Sequence, residues 1–370
     1  MSVGSRRDFL KRLGTVAAVF GASRRGLSYF SSADDRPFEL LIVGDSVIWG
    51  QGLKEKDKFY SLTADWLRSE AFGKPREVNL KVKAHSGSTL KFHADEAEKY
   101  KTAGGNEAEP FNPEVNVGFP SSWKQIEIAE KEYRAEAKLG ADLIMICGGI
   151  TDITTSRVFD PKGNDDELRA EINHYCGNDM LDVLDLALNK NPNARIAVIG
   201  YFPVITSSSS KGKILNDRLE ALSFPRPLKP FVNNPVVRPV AFNKLAKRAA
   251  ERSRIWLEES SKNLQEAVDA INEKHHETRA VFVKTPIEDE NAAEAPQTLL
   301  FRMGKGGVVS DQVSNERTRE CRAALPALKR DTGIDYPVRL CEIASIAHPN
   351  EAGARAYAEA IKTTVGPILH

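Results

Sequence analysis

The stretch Phe38-Glu39-Leu40-Leu41-Ile42-Val43-Gly44-Asp45-Ser46-Val47-Ile48-Trp49-Gly50 decides how the rest of the chain is read. A nearly unbroken apolar run ends in glycine, and an acidic residue and a serine follow at once. A strand that is apolar on both faces belongs in a parallel sheet covered by helices on each side. Ligands of such sheets bind beyond the carboxyl ends of the strands, so Ser46 falls where a substrate would sit. Gly-Asp-Ser alone is also ordinary turn chemistry. The remainder of the chain has to supply the partners that a reactive serine needs.

Working outward, strands of the same kind are expected at Val78–Val82, Leu143–Cys147, Ile196–Tyr201 and Ala280–Val283, in addition to Phe38–Val43. Helical patterns lie between or after them, at Phe59–Phe72, Ser122–Lys138, Asp166–Asn189 and Glu351–Val365. The last has Asn350 as its N-cap and Ala354, Tyr357, Ala358 and Ile361 on one face. Strands alternating with helices predict a doubly wound α/β sheet. Two segments exceed what that core requires. Residues 206–271 form a long insertion that opens with four serines, carries Pro225, Pro227, Pro230, Pro235 and Pro239, and ends in a helix with Leu264, Ala267, Val268 and Ile271 on one face. It is expected to act as a cap, with Phe224, Phe231, Phe242 and Trp256 available either to line a pocket or to pack the cap itself. Residues 286–347 form a long irregular approach to His348.

With 41% apolar residues the chain can build a large core, and a formal net charge of +1 offers no field to attract nucleic acid or an acidic membrane surface. No uninterrupted apolar run is long enough for a spanning helix. Residues 1–35 read instead as a signal segment: Arg6-Arg7-Asp8-Phe9-Leu10-Lys11 followed by a short apolar run over Leu13–Ala22 is the layout of a twin-arginine export signal. The expected partner is therefore the Tat export machinery, the expected location is the periplasm or the medium, and 36–370 is expected to form one domain. Of four cysteines, Cys147 lies in a strand, while Cys321 and Cys341 lie in the loop-rich stretch before His348 and are expected to bridge in an oxidising compartment. No cysteine or histidine spacing suggests a metal site, and His275-His276 read as a solvated helix end.

A serine nucleophile needs a base, and histidine titrates closest to neutral pH. His348 stands in Ser345-Ile346-Ala347-His348-Pro349-Asn350, on a short tether before the last helix. His85, in Ala84-His85-Ser86-Gly87-Ser88, follows the second strand, and Gly148-Gly149-Ile150-Thr151-Asp152 follows the third. In order and placement these segments resemble the blocks of the SGNH (GDSL-like) hydrolases: Gly44-Asp45-Ser46 for the first, Gly87 for the second, Gly149-Ile150-Thr151-Asp152 for the third and Ser345-Ile346-Ala347-His348 for the last. The resemblance runs from Phe38 to the C-terminus apart from the insertions. It implies a three-layer α/β/α flavodoxin-like sandwich, no metal or organic cofactor, and hydrolysis of carboxylic esters of lipids, saccharides or small molecules. It further implies Ser46 as nucleophile, His348 as general base, and an oxyanion hole from the N–H groups of Ser46 and Gly87 with Thr151 as third donor.

Two positions depart from the family pattern. Thr151 replaces the usual asparagine, and Ser345 replaces the aspartate that orients the imidazole. A backbone carbonyl can take over that role, giving a Ser–His dyad; Glu342 is the nearby carboxylate. On this reading Ser345→Asp should raise or preserve activity, and Glu342→Gln should matter little. The alternatives to an esterase or lipase are a polysaccharide deacetylase of the same fold and a decayed site kept as a binding module. The α/β-hydrolase fold is disfavoured because the chain has no Gly-x-Ser-x-Gly elbow.

Overall fold

A computed structural model describes residues 36–105, 111–210, 238–304 and 307–369, without the side chains of 238–242. The signal-like segment 1–35, the stretch 211–237 with Phe224 and Phe231, and the side chain of Phe242 therefore lie outside the described residues.

Five strands, β1 (Phe38–Gly44), β2 (Val78–Val82), β3 (Leu143–Cys147), β4 (Arg195–Ile199) and β5 (Ala280–Val283), form one sheet in the order β2-β1-β3-β4-β5. All neighbours are parallel, with Ile42 opposite Val82 on one side and Met145 on the other. Every residue of β1 and β3 is buried, as their lack of polar alternation requires. The helices of eight or more residues are α1 (Phe59–Ser69), α2 (Ala94–Thr102), α3 (Ser122–Ala135), α4 (Asp165–Ile172), α5 (Met180–Lys190), α6 (Arg238–His275), α7 (Ser314–Thr332) and α8 (Glu351–Val365). Helices α1 and α8 pack together, while α5 packs with both α3 and α6. This is a doubly wound, flavodoxin-like arrangement. The strand order reverses between β1 and β3, and such switch points carry a crevice at the strands' carboxyl ends.

The helical part of the insertion read as a cap is the crossover from β4 to β5. In α6 the residues Ile255, Trp256, Leu264, Ala267, Val268 and Ile271 are buried in the main core, and the Trp256 ring packs on Tyr201 at 4.9 Å between centroids. Trp256 thus packs the core. The pattern over Asp166–Asn189 is divided between α4 and α5 by a π-helical turn, Asn173–Asp179, which sets the Cys176 side chain against Gly149.

The irregular approach to His348 also has a core of its own. Val115, Val117 and Phe119 from the segment before α3 pack with Tyr100 of α2, with Cys321, Leu325 and Leu328 of α7, and with Ile334 and Cys341. The Cys321 and Cys341 sulfurs are bonded, with Cα atoms 5.9 Å apart, and Cys147 and Cys176 are buried free thiols.

Candidate active site

The site grows from the end of β1. Gly44 has φ +131°, and a Cβ there would lie 1.9 Å from the Cys147 carbonyl oxygen, so only glycine lets the two central strands approach so closely. The chain then enters a one-turn helix, Ser46–Trp49. Asp45 caps it, accepting from the Val47 N–H at 2.9 Å and from the Tyr201 hydroxyl at 2.6 Å. Burial pushes the Asp45 carboxyl up to about 6, while the Tyr201 and backbone hydrogen bonds oppose the shift. The Tyr201 oxygen in turn accepts from the Ile150 N–H at 3.2 Å, which ties the first block to the third.

His348 arrives from the opposite end of the chain, and its Nε2 lies 2.7 Å from Ser46 Oγ. Nδ1 faces the Ile346 carbonyl at 3.3 Å. A carbonyl only accepts, so the proton sits on Nδ1 and the Nε2 lone pair points at the Ser46 hydroxyl. The backbone clamps the residue: Phe301 N–H donates to the His348 carbonyl at 2.8 Å, His348 N–H to the Ser345 carbonyl at 3.0 Å, and Ala347 N–H to the Phe301 carbonyl at 3.1 Å. Ala347 is held at φ +61°, a left-handed conformation that costs a non-glycine residue about 1–3 kcal/mol and persists only where its surroundings impose it. Asn350 then caps α8, accepting from Ala352 and Gly353. Burial pushes the half-buried imidazole down to about 4, helped by Arg317 and opposed by the Ile346 and Ser345 backbone and by Asp311. It is therefore neutral at pH 7.

Gly87 lies in a loop fastened to both sides of the crevice. His85 N–H donates to the Gly44 carbonyl at 3.0 Å, Ser86 N–H to the Pro113 carbonyl at 2.9 Å, and Val117 N–H to the Ser86 carbonyl at 3.1 Å. Gly87 has φ +82°, and a Cβ would lie 2.5 Å from Asn116 Oδ1 and 2.7 Å or less from two Val117 backbone atoms. Gln125 joins the pieces, accepting from Gly44 N–H at 2.7 Å and donating to the Gly44 carbonyl, Ser88 Oγ and the Pro120 carbonyl at 2.9–3.1 Å. Neither the Ser46 nor the Gly87 N–H donates to an acceptor among the described residues.

Three of the expected site residues have other partners in the structure. The Thr151 hydroxyl donates to the Ser88 carbonyl, so its one proton is committed to holding the Gly87 loop and is withheld from an oxyanion. The Glu342 carboxylate pairs with Arg322 at 2.5 Å and with Arg339 at 3.3 Å, well satisfied away from the imidazole. The Ser345 hydroxyl donates to Asp311, so the Ile346 carbonyl is what faces Nδ1. His85 makes its ring contact to the Ser86 carbonyl at 3.0 Å, is pushed down to about 4 by burial, and has no contact with Ser46.

The sequence reading missed Tyr201, Gln125, Glu114, Asp311 and Arg317. Tyr201 ended a predicted strand and so had a signal; the others sit in helices and irregular segments with no local motif. Among the described residues no cluster of His, Cys, Asp or Glu side chains would hold a metal ion, and no helix is long and apolar enough to cross a membrane.

Neither a family model nor a curated protein matches the chain. Among solved structures it is similar to a phospholipase A1 from Streptomyces albidoflavus NA297, at 11% identity and a TM-score of 0.42 over 89% of this chain and 99% of that one. It is likewise similar to an extracellular lipase from Streptomyces rimosus, at 12% identity and a TM-score of 0.43 over 88% and 99%. A carbohydrate acetylesterase, Est24 from Sinorhizobium meliloti, aligns at 12% identity and a TM-score of 0.32 over 70% and 87%.

Proposed function

We propose that the protein is an exported serine esterase that cleaves carboxylic esters through a Ser46–His348 dyad. The observation that carries the reading is the 2.7 Å contact between Ser46 Oγ and His348 Nε2, with the other ring nitrogen on a backbone acceptor. Ser46 Oγ attacks the ester carbonyl carbon while its proton passes to Nε2. The carbonyl oxygen becomes an oxyanion facing the free N–H groups of Ser46 and Gly87. Collapse expels the alcohol, which takes the proton from Nε2 and leaves an acyl-serine. Water then attacks that acyl group and gives a proton to Nε2; as the adduct collapses, Nε2 returns that proton to Ser46 Oγ and the carboxylic acid leaves. Two preorganised backbone donors matter as much as the base, since removing one oxyanion donor costs about 10²–10³ in turnover.

The substrate class is an ester of a lipid, a saccharide or a small alcohol. A series of p-nitrophenyl esters from acetate to palmitate narrows it: a maximum at acetate favours a deacetylase, and a maximum at long chains favours a lipase. Ser46→Ala should lower turnover about 10⁶-fold on the best ester, as loss of a serine nucleophile does elsewhere. Wild-type turnover in that variant would refute the dyad, and its absence from both proteins would favour a binding module. Export is supported by Arg6-Arg7 and by a disulfide that an oxidising compartment would maintain. Replacing Arg6 and Arg7 by lysine should leave a fused reporter in the cytoplasm; unchanged export would overturn the Tat assignment.

A further inference from the structure

The carboxylate missing from position 345 has a counterpart 34 residues earlier in the chain. The Ser345 hydroxyl donates to Asp311 Oδ2, and the same oxygen pairs with Arg317. The Asp311 and Arg317 side chains are fully shielded from solvent, and Ser345 is buried. Arg317 also binds Glu114 at 3.0 Å and donates from Nε to the Glu342 carbonyl at 3.1 Å. Glu114 accepts from the Trp49 indole at 2.9 Å, from the Gln51 amide at 3.1 Å and from the Gly52 N–H at 3.3 Å. One buried cluster thus touches the turn just after Ser46 and the loop just before His348. It holds two carboxylates and one guanidinium.

We propose that Asp311 is the positioning carboxylate of this site, acting on His348 through Ser345. Asp311 is itself fixed, because its other oxygen accepts from the Val313 N–H at 2.9 Å. It anchors the Ser345 side chain, and the Ser345 carbonyl receives the His348 N–H at 3.0 Å. The anchor fixes where the imidazole stands relative to Ser46, and a displacement near 1 Å there costs about a hundredfold in rate. Its charge also favours the imidazolium that forms as Ser46 loses its proton. The charged groups facing His348 are Asp311 and Arg317, of opposite effect.

The inference rests on the dyad reading, and a double-mutant cycle on an active ester tests it. Asp311→Asn keeps the shape and removes the charge; Ser345→Ala removes the link. Each should lower kcat about a hundredfold with KM little changed. Asp311→Asn should cost less than about fivefold more in the Ser345→Ala background, because the path is already cut. Independent, multiplying effects would overturn the proposal, as would a Ser345→Ala enzyme within twofold of wild type. That single variant decides the matter should Asp311→Asn not fold. An NMR titration of the His348 ring, which needs no substrate, should show its titration point lower in Asp311→Asn than in wild type; an unmoved point would overturn the electrostatic part. Failure of the dyad reading would show separately, as full turnover in Ser46→Ala.

Discussion

The nucleophile and the base are held by two differently built regions. Ser46 stands just past the carboxyl end of β1, on a sheet whose central strands are wholly buried and apolar. His348 stands on a loop backed by a small second core, one disulfide, and a buried ionic cluster centred on Arg317. The first region is stabilised mainly by burial of apolar area, which is non-directional and tolerant of detail. The second is stabilised by directional contacts, each of which fails if one partner is lost. The catalytic distance is set where the two meet, so the base side is the more easily disturbed half.

The largest effects should separate the two regions. Trp256→Ala, in the fully buried sheet-side core, should cost about 3–5 kcal/mol by leaving a cavity. Arg317→Met should cost about as much, roughly 3–5 kcal/mol, by leaving Glu114 and Asp311 as buried carboxylates without their cation. Urea unfolding gives both numbers, and turnover below the transition divides them. Trp256→Ala should keep most of its activity while folded, whereas Arg317→Met should lose it. Equal losses of activity would erase the distinction between the regions.

A somewhat smaller effect is expected from the disulfide, which closes a loop of 20 residues. Replacing Cys321 and Cys341 by alanine should cost roughly 3 kcal/mol on loop-closure grounds. Hydrogen exchange should show lost protection over residues 314–345 with β1 and β3 unaffected. Uniform loss across both regions would mean that they unfold as one unit.

What was legible in the sequence follows the same division. The apolar strands could be read because burial on both faces leaves a plain signature, and Gly44, Ser46, Gly87 and Gly149 could be placed because they lie at, or within five residues of, a strand's carboxyl end. His348 could be placed by its short tether to α8. The base-side support could not, because Glu114, Asp311 and Arg317 meet only through tertiary structure and lie up to 203 residues apart. Position 345 shows the cost of that blindness. Sequence alone favoured Ser345→Asp, but a carboxylate there would face Asp311 in a buried setting, so this substitution is now expected to destabilise the loop and lower activity. Glu342→Gln remains an expected near-neutral change, since its carboxylate serves Arg322 and Arg339.

The mildest test sharpens the electrostatic side of the comparison. An imidazole pushed down to about 4 is protonated, and useless as a base, only below that pH. The acid limb of kcat/KM should therefore fall as pH drops through about 4 and be flat by pH 6. An inflection near pH 6.5, the ordinary value for histidine, would mean that the ring is far more solvated than its surroundings indicate.

The central claim is that Ser46 is a nucleophile activated by His348. It is tested most directly by reacting the protein with a fluorophosphonate and locating the adduct by intact-mass and peptide mass spectrometry. The account predicts one adduct per chain, on Ser46, absent in Ser46→Ala and formed at least about a hundredfold more slowly in His348→Ala. An adduct on any other residue, or equal labelling of the His348→Ala variant, would contradict it.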